Sequence, residues 1–296
     1  MKNAKTLNTQ HPAPNSPFSI LNSQFHSPPP INALITDLDD TLLTRDHRMT
    51  ERTTQTLRRV QARGVKVILA SGRMAASMRP FVEAVGTMCP YIVNNGALII
   101  DPKTNDALLR NEVKRSLAKE VLLWLESERL YCQIYCGDDW FYAEQSEYAD
   151  SYGLSSGVSG TLVGRLSDYI NEGTPKILGI GEPDRVFELM NAGNRIFAGR
   201  LSLTTSNPRL LEITAPTATK GNAVRMLADL LHLSPETTLC AGDSLNDLSM
   251  LLWSTRPVAV ANAREEVKRI AWRVAGDGRE DGIAKLLDEI IPEEET

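Results

Sequence analysis

The chain is poor in the residues on which thiol, zinc and imidazole chemistry depend. Its 296 residues include four cysteines and four histidines. Cys132 and Cys136 have the spacing of a metal pair, but no second pair or neighbouring histidine completes a zinc site. Two histidines fall within the first thirty residues and the other two, His47 and His232, flank predicted helices, so a Ser-His-Asp arrangement is not readily assembled. We expect reduced thiols and a chemistry that depends on other side chains.

The chain also lacks an excess of positive charge and any long apolar run. Lys plus Arg number 32 against 37 for Asp plus Glu, which gives a net charge of −5 and argues against a nucleic-acid partner. No stretch approaches the about 18 consecutive apolar residues of a membrane helix, and the N-terminus has no compact apolar segment of a secretory signal. We therefore predict a soluble, cytoplasmic protein with no nucleic-acid or membrane partner. The sequence leaves the oligomeric state open.

Residues 1–30 are rich in proline and in small polar side chains. They contain six prolines, four asparagines and four serines, and they end in Pro28-Pro29-Pro30. A segment of this composition cannot bury enough apolar surface to offset the entropy lost on folding. We predict a disordered leader, followed by a chain long enough for one large core or two smaller ones.

Two regions of the chain show a rhythm of strand, helix and strand. The predicted strands span 32–36, 65–70, 91–93, 237–241 and 258–260, and the predicted helices span 51–63, 74–85, 220–232 and 246–253. Because the strands lack polar alternation, they are typical of a parallel sheet that is covered on both faces. Right-handed crossovers between such strands predict an α/β fold.

The composition of the sequence and its pattern of predicted elements change between these two regions, from about 113 to 213. The expected elements there are an aromatic-rich strand at 131–136, helices at 114–128 and 184–192, and a glycine-rich turn at 152–160. This change indicates a second α/β domain inserted into the first. The predicted domains are thus a core formed by 31–112 and 214–296 and an insertion formed by 113–213.

Carboxylates cluster where the first predicted strand ends, in Asp37-Leu38-Asp39-Asp40-Thr41. Ligand sites of open parallel sheets lie beyond the carboxyl ends of the strands. A carboxylate there can attack phosphorus to give an aspartyl phosphate. A second carboxyl two residues on can protonate the leaving oxygen and later deprotonate water. In isolation the same residues would also fit a polar turn after a strand.

Three further segments bring polar groups to the ends of strands and helices. In Ser71-Gly72-Arg73 the serine and the backbone N–H groups that follow could hold phosphate oxygens at a helix N-terminus, or the serine could simply cap the helix. Residues 242–247 add more carboxylates after a later strand, and Lys220, before its helix, can offset the charge of a phosphate. Two carboxylates about 4 Å apart repel by about 4 kcal/mol at an effective dielectric near 20. A dication is needed to hold them together, and all-oxygen ligands favour Mg²⁺.

Taken together, these motifs resemble the haloacid dehalogenase superfamily, and within it the Cof-like phosphatases with a large type IIB cap. The likeness covers residues 34–287 and depends on Asp-x-Asp-x-Thr, Ser-Gly-Arg, Lys-Gly and Gly-Asp-x-x-Asn-Asp-x-x-Met in this order. It implies a core with a Rossmann-like, doubly wound parallel sheet and an inserted α/β cap domain. One departure is Asp40, where the family most often has glycine.

The resemblance implies a role for each matching residue. Asp37 would be the nucleophile and a metal ligand, and Asp39 would be the general acid and base and bind the metal through its backbone carbonyl. Asp243 would complete the protein ligands of Mg²⁺, and Asp247 would support Lys220 or a metal-bound water. The phosphate-binding residues would be Leu38 through its backbone, Ser71, Gly72, Lys220 and Asn246, of which Lys220 also serves catalysis.

The implied function is hydrolysis of a small phosphorylated metabolite, such as a sugar phosphate, a nucleotide or a cofactor phosphate, with Mg²⁺ and an aspartyl-phosphate intermediate. Two alternatives stay open. A phosphomutase of the same superfamily would return the phosphoryl group to a sugar, and free phosphate as a stoichiometric product would exclude it. A non-catalytic metabolite-binding module is disfavoured because both Asp37 and Asp39 are present.

Overall fold

The computed structural model describes residues 30–292, with the exception of Ser206. Residues 1–29, which form nearly all of the predicted leader, lie outside the described residues. Within the described part of the chain, none of the helices has the length and apolar character needed to cross a membrane. The cytoplasmic location stays a prediction. All four cysteines are free thiols, as predicted.

The described residues form fourteen strands and ten α-helices. The strands are β1 (Ala33–Thr36), β2 (Lys66–Leu69), β3 (Tyr91–Val93), β4 (Leu98–Ile100), β5 (Ala107–Arg110), β6 (Tyr131–Cys136), β7 (Asp139–Tyr142), β8 (Thr161–Leu162), β9 (Ile177–Ile180), β10 (Ser202–Thr204), β11 (Leu210–Thr214), β12 (Thr238–Gly242), β13 (Arg256–Ala259) and β14 (Arg273–Val274). The helices are α1 (Glu51–Ala62), α2 (Ala75–Val85), α3 (Arg115–Ser127), α4 (Glu147–Ser156), α5 (Leu166–Tyr169), α6 (Pro183–Ile196), α7 (Lys220–Leu231), α8 (Leu248–Leu251), α9 (Glu265–Ile270) and α10 (Gly282–Ile290). Short 3₁₀ turns cover Asn94–Gly96, Leu245–Asp247 and Gly278–Glu280.

The central sheet is five-stranded and parallel throughout, in the order β14-β13-β12-β1-β2. Every side chain of β1, β12 and β13 is buried, as expected of strands covered on both faces. Strand β1 lies between β12 and β2, with Leu34 opposite Leu239 on one side and Val67 on the other. The carboxyl ends of β1, β2 and β12 therefore meet at one edge of the sheet.

A second, six-stranded sheet is formed by residues 131–214, in the order β10-β11-β9-β6-β7-β8. Its pairings are antiparallel except for β7 with β8. Side chains such as Ile177, Leu211 and Ile213 share an apolar cluster with residues of α3 and α6. This body is the α/β cap, and the predicted fold class is confirmed. The exact domain boundaries at 113 and 213 stay predictions.

A small antiparallel sheet, β3-β4-β5, lies beside the central one. A parallel bridge between Ala70 and Ile92 joins it to the end of β2. The two chain segments that lead into and out of the cap meet nearby, where Asn111 Nδ2 donates to Thr217 Oγ1 at 3.0 Å.

The predicted glycine-rich turn at 152–160 is wrong in its first half, because α4 continues to Ser156. The Ser146 hydroxyl accepts from the Ala149 N–H and begins the helix, and Gly157 ends it in the left-handed conformation. Gly153 is tolerated inside the helix. These end signals outweigh the low helix propensity of the glycines and serines between them.

Candidate active site

Strands β1 and β12 end side by side and bring two carboxylates together. The Asp37 N–H donates to the Ala241 carbonyl at 2.9 Å, so the parallel pairing continues to the residue that carries the first carboxylate. Asp243 follows β12 in the same way, and its Oδ1 accepts from the Thr41 hydroxyl at 3.0 Å. Carboxylate oxygens of Asp37, Asp243 and Asp247 lie within 4.8 Å of one another.

Lys220 lies between two of these acids. Its Nζ is 2.5 Å from Asp37 Oδ1 and 2.6 Å from Asp247 Oδ1, and its side chain is fully buried. Helix α7 begins at this residue because the Thr219 hydroxyl accepts from the Asn222 N–H at 3.2 Å and caps the first turn. The helix cap thus fixes the position of the buried cation.

Asp247 has donors on both of its carboxylate oxygens. Oδ1 accepts from Lys220, and Oδ2 accepts from the backbone N–H groups of Asp243 and Ser244 at 3.1 and 3.0 Å. These bonds orient Asp247 toward Lys220 and fix the turn that follows β12. The acid therefore belongs to the cluster, but both of its oxygens already accept from protein donors.

Burial dominates the electrostatics of the cluster. It raises the pKa of Asp37 well above its usual value, and Lys220 only partly offsets this. Burial, reinforced by Asp247, raises the pKa of Asp243 to about 7. Burial acts in the opposite sense on Lys220, but Asp247 and Asp37 outweigh it and raise the pKa of the lysine. One lysine does not neutralise three carboxylates, and the all-oxygen donor set fits a hard divalent cation.

The carboxylate of Asp39 points toward Arg73 and not into this group. Arg73 Nε and Nη2 donate to its two oxygens at 2.8 and 2.6 Å, and His47 Nδ1 lies 3.2 Å from Oδ1. Burial acts to raise the pKa of Asp39, but hydrogen bonds from Arg73 and His47 hold it well below its usual range. The two-point contact with the arginine and the lowered pKa favour the ionised form of Asp39.

Asp40 adopts a left-handed backbone conformation, with φ of 57°. Glycine reaches this region without steric cost, and aspartate is among the residues that tolerate it best. The Asn262 side chain stabilises the turn by donating to the Asp40 carbonyl at 2.7 Å. This conformation explains how aspartate can stand where the family most often has glycine.

Ser71 does not cap the helix that follows it. Helix α2 begins only at Ala75, with Met74 as its N-cap residue and no side-chain cap bond. The buried Ser71 hydroxyl accepts instead from the Arg73 N–H at 3.1 Å. The alternative interpretation of Ser71 as a simple helix cap is therefore wrong.

Of the other predicted phosphate-binding residues, Gly72 and Asn246 line the same cavity as Asp37, whereas Leu38 is buried beneath it. Asn246 Nδ2 donates to Asn95 Oδ1 at 2.9 Å, while Asn246 Oδ1 is buried without a hydrogen-bond partner in the described part of the chain. A side chain on Gly72 would lie 3.0 Å from Asn95 Oδ1, so there is little room for one. The Leu38 carbonyl accepts from three successive N–H groups, which closes the turn after β1.

Of the residues described above, Asp37, Asp39, Asp243, Ser71, Gly72 and Asn246 line a cavity of about 640 Å³, and cap residues form its opposite wall. The cap wall includes Lys176, Glu212 and Tyr152, for which sequence reasoning assigned no role. Lys176 Nζ donates to the Gly72 carbonyl at 2.8 Å and so links the cap directly to the core. The available signal was a charged residue beside apolar strand residues, in Lys176-Ile-Leu and in Leu-Glu212-Ile.

Comparison with known proteins identifies clear relatives. The family model for haloacid dehalogenase-like hydrolase matches residues 34–287. Phosphatase YwpJ of Bacillus subtilis (strain 168) is 29% identical over 282 residues, which cover 86% of this chain and 98% of that protein. The HMP-PP phosphatase of Serratia proteamaculans is 27% identical over 256 residues, which cover 85% and 92%. The crystal structure of TM0651 from Thermotoga maritima has a TM-score of 0.78 at 27% identity and covers 88% of this chain and 97% of that one.

Proposed function

Because this chain belongs to the haloacid dehalogenase-like hydrolases and relatives such as YwpJ and the HMP-PP phosphatase are named phosphatases, we propose that it hydrolyses a small phosphorylated metabolite through an aspartyl phosphate on Asp37. The observation that carries this proposal is the buried Asp37 carboxylate, which lies at the end of β1 beside Asp243 and in contact with Lys220. The volume of the cavity above it suits one small metabolite.

Asp37 and Asp243 are the acids that would hold Mg²⁺, together with the backbone carbonyl of Asp39. Asp247 would act through Lys220, because both of its oxygens already have donors. When bound, the cation would supply charge screening for the phosphate and for the nucleophile. Ser71, Asn246 and Lys220 would hold the phosphate oxygens.

The chemistry would take place in two displacements at phosphorus. Lys220 contacts Oδ1 of Asp37, which leaves Oδ2 to attack. The bond from Asp37 to phosphorus forms while the ester bond breaks, and Asp39 gives a proton to the leaving oxygen. Water then attacks the aspartyl phosphate, Asp39 takes back a proton, and free phosphate and Asp37 are regenerated.

The contact with Arg73 favours the ionised form of Asp39. This is the form that the second displacement requires, because Asp39 acts there as a base. An ionised carboxylate can accept a proton from water but cannot donate one to a leaving group. The first displacement therefore requires Arg73 to release Asp39, or share it with the substrate, when the ester binds. Loss of the arginine contact would leave burial, which acts to raise the pKa of Asp39, opposed only by His47, and so would favour the protonated form that can donate to the leaving oxygen.

Phosphate release from a panel of sugar phosphates, nucleotides and cofactor esters tests this proposal. We expect one free phosphate for each ester consumed in the presence of Mg²⁺, and no turnover in excess chelator. Undiminished turnover in chelator would contradict the metal requirement. An isomeric sugar phosphate as product, without free phosphate, would show a phosphomutase instead.

A further inference from the structure

A turn in the core carries two buried asparagines to which the proposed reaction assigns no role. Asn94, Asn95 and Gly96 have φ values of 49°, 58° and 96°, so three successive residues are left-handed. A side chain adopts this conformation at a cost, although asparagine tolerates it better than most residues do. Strained backbone of this kind clusters at functional sites, where the surrounding structure holds it in place.

The backbone of this turn supports residues 71–73, which contain two of the predicted phosphate-binding residues. The Asn94 N–H donates to the Arg73 carbonyl at 2.8 Å, and the Asn95 N–H donates to the Ser71 carbonyl at 3.1 Å. These two bonds fix the path of the chain directly after β2. The turn therefore lies against the phosphate site and not at a distance from it.

The turn also packs against the first residues of α7. An added Cβ on Gly96 would overlap the Thr219 carbonyl and would lie 2.9 Å from the Lys220 nitrogen. Glycine allows this approach and also reaches the positive φ without steric cost. A second segment of the phosphate site, the one that carries Lys220, thus contacts the same turn.

The side chain of Asn95 makes a third contact, with Asn246. Asn246 Nδ2 donates one of its two N–H groups to Asn95 Oδ1 at 2.9 Å. None of the described residues accepts from the second N–H, and none donates to Asn246 Oδ1, which is buried. Within the described part of the chain, the bond to Asn95 is therefore the one side-chain hydrogen bond of Asn246.

This bond determines which end of the Asn246 amide is available to a ligand. A buried carbonyl oxygen without a donor is costly, and exchanging the two ends of the amide would relieve that cost if water could reach the oxygen. The exchange would place the oxygen opposite Asn95 Oδ1, and two acceptors repel each other. Asn95 therefore holds the amide in the orientation that keeps an N–H for the cavity, which Asn246 lines.

The orientation matters because a charged phosphate oxygen accepts hydrogen bonds. It can bind the N–H end of an amide and is repelled by the oxygen end. We propose that Asn95 is a positioning residue of the phosphate site, which accepts one N–H of Asn246 and so directs the second N–H to a phosphate oxygen. The proposal rests on the proposed phosphatase function, in which Asn246 would bind the phosphate.

The test measures the binding of inorganic phosphate in the presence of Mg²⁺. Phosphate affinity is obtained by titration calorimetry and as the inhibition constant against hydrolysis of p-nitrophenyl phosphate. Asn95→Gly removes the acceptor and fits the left-handed backbone without strain. We expect this variant to bind phosphate about tenfold or more weakly, because the released amide can turn its oxygen toward the cavity.

Asn94→Gly is the matched control. It removes a neighbouring buried amide from the same left-handed turn, whereas the acceptor for Asn246 belongs to Asn95. Its phosphate affinity should stay within about twofold of the wild type, even if its melting temperature falls as far as that of Asn95→Gly. An equal loss of phosphate affinity in the two variants would show a general effect of the turn and would overturn the proposal.

A double-mutant cycle with Asn246→Ala separates positioning from a merely structural role. If Asn95 acts through Asn246, adding Asn95→Gly to Asn246→Ala should change phosphate affinity by less than about twofold. An effect of Asn95→Gly that persists in this background would overturn the proposal. A folded Asn95→Gly protein with the phosphate affinity of the wild type would do the same.

Asn95→Ala is the second variant if Asn95→Gly does not fold, as judged by thermal unfolding. It removes the same acceptor, keeps the Cβ, and carries the same expectations. In each outcome that overturns the proposal, wild-type turnover of p-nitrophenyl phosphate would leave the phosphatase function standing. If the wild type neither bound phosphate nor released it from any ester, the proposed function itself would fail.

Discussion

Lys220 is the residue on which the electrostatics of the site depend most directly. It lies between Asp37 and Asp247 without access to solvent. Removing one partner of a buried ion pair leaves an uncompensated charge, which typically costs about 3–5 kcal/mol. The same change would weaken the binding of the phosphoryl group.

We therefore predict that Lys220→Met lowers the free energy of unfolding by about 3–5 kcal/mol and reduces turnover by about 100-fold or more. Urea denaturation and phosphate release measure the two effects. Lys268→Met is the control, because Lys268 forms an i,i+3 pair with an exposed Glu265 and should change stability by less than about 1 kcal/mol. Equal stabilities of the two variants would contradict the role assigned to Lys220.

At the residue scale, the sequence predicted the parts of the site that lie in short motifs. Asp37, Asp243 and Lys220 stand directly at strand or helix ends, so their meeting follows from the order of the strands. Lys176 could not be placed in the same way, because its contact with Gly72 joins residues 104 positions apart. The two hydrogen bonds from Arg73 to Asp39 were not predicted for a related reason. A motif identifies a residue but not the direction in which its side chain points.

Among the elements, α7 and α8 pack closely enough to require a glycine. An added Cβ on Gly221 would overlap the backbone carbonyl of Ser249, whereas Gly153 in α4 has no neighbour closer than 3.7 Å. Both glycines lie within helices, where alanine is otherwise the better residue. Alanine substitution at these two positions therefore distinguishes the effect of close packing from the effect of helix propensity.

We predict that Gly221→Ala lowers the free energy of unfolding by about 1–3 kcal/mol, while Gly153→Ala leaves it unchanged or raises it by up to about 1 kcal/mol. Thermal and urea unfolding of the two variants provide the measurement. A stable Gly221→Ala protein would show that α7 and α8 can move apart without cost.

Elements with a strong apolar periodicity lie where the sequence predicted them. Elements whose ends depend on capping hydrogen bonds agree less well with the prediction. Tyr91–Val93 and Tyr131–Cys136 are strands with their predicted bounds. The predicted helix at 246–253 is instead a 3₁₀ turn, Leu245–Asp247, followed by α8. The reciprocal bonds between Ser244 and Asp247 tighten that turn, and the apolar pattern carries no trace of them.

For the whole molecule, the proposal divides the work between core and cap. The catalytic candidates lie in the core, while Lys176, Glu212 and Tyr152 reach the cavity from the cap. Met74 of the core packs with cap side chains such as Tyr135 and Trp140. If the proposed function is right, a lid in contact with the core would exclude water from the site and would let the cap select the ester.

Replacing residues 113–213 by a short linker should therefore abolish selectivity among large phosphate esters and spare some hydrolysis of p-nitrophenyl phosphate. The truncated protein must first be shown to be folded by circular dichroism and unfolding curves, because removal of the cap uncovers apolar side chains such as Met74. Full retention of the parental substrate preference in a folded, truncated protein would place specificity in the core.

The most direct test of the account follows the phosphoryl group itself. Asp39→Asn protein is mixed with p-nitrophenyl phosphate and Mg²⁺, quenched in acid, and digested for peptide mass spectrometry. Because a good leaving group needs little proton donation while hydrolysis of the intermediate needs a base, the peptide that contains Asp37 should gain the mass of one phosphoryl group. The same peptide should gain nothing in an Asp37→Asn protein, which should also lose essentially all turnover. A phosphoryl group on another residue, or near-normal turnover of Asp37→Asn, would contradict the central claim.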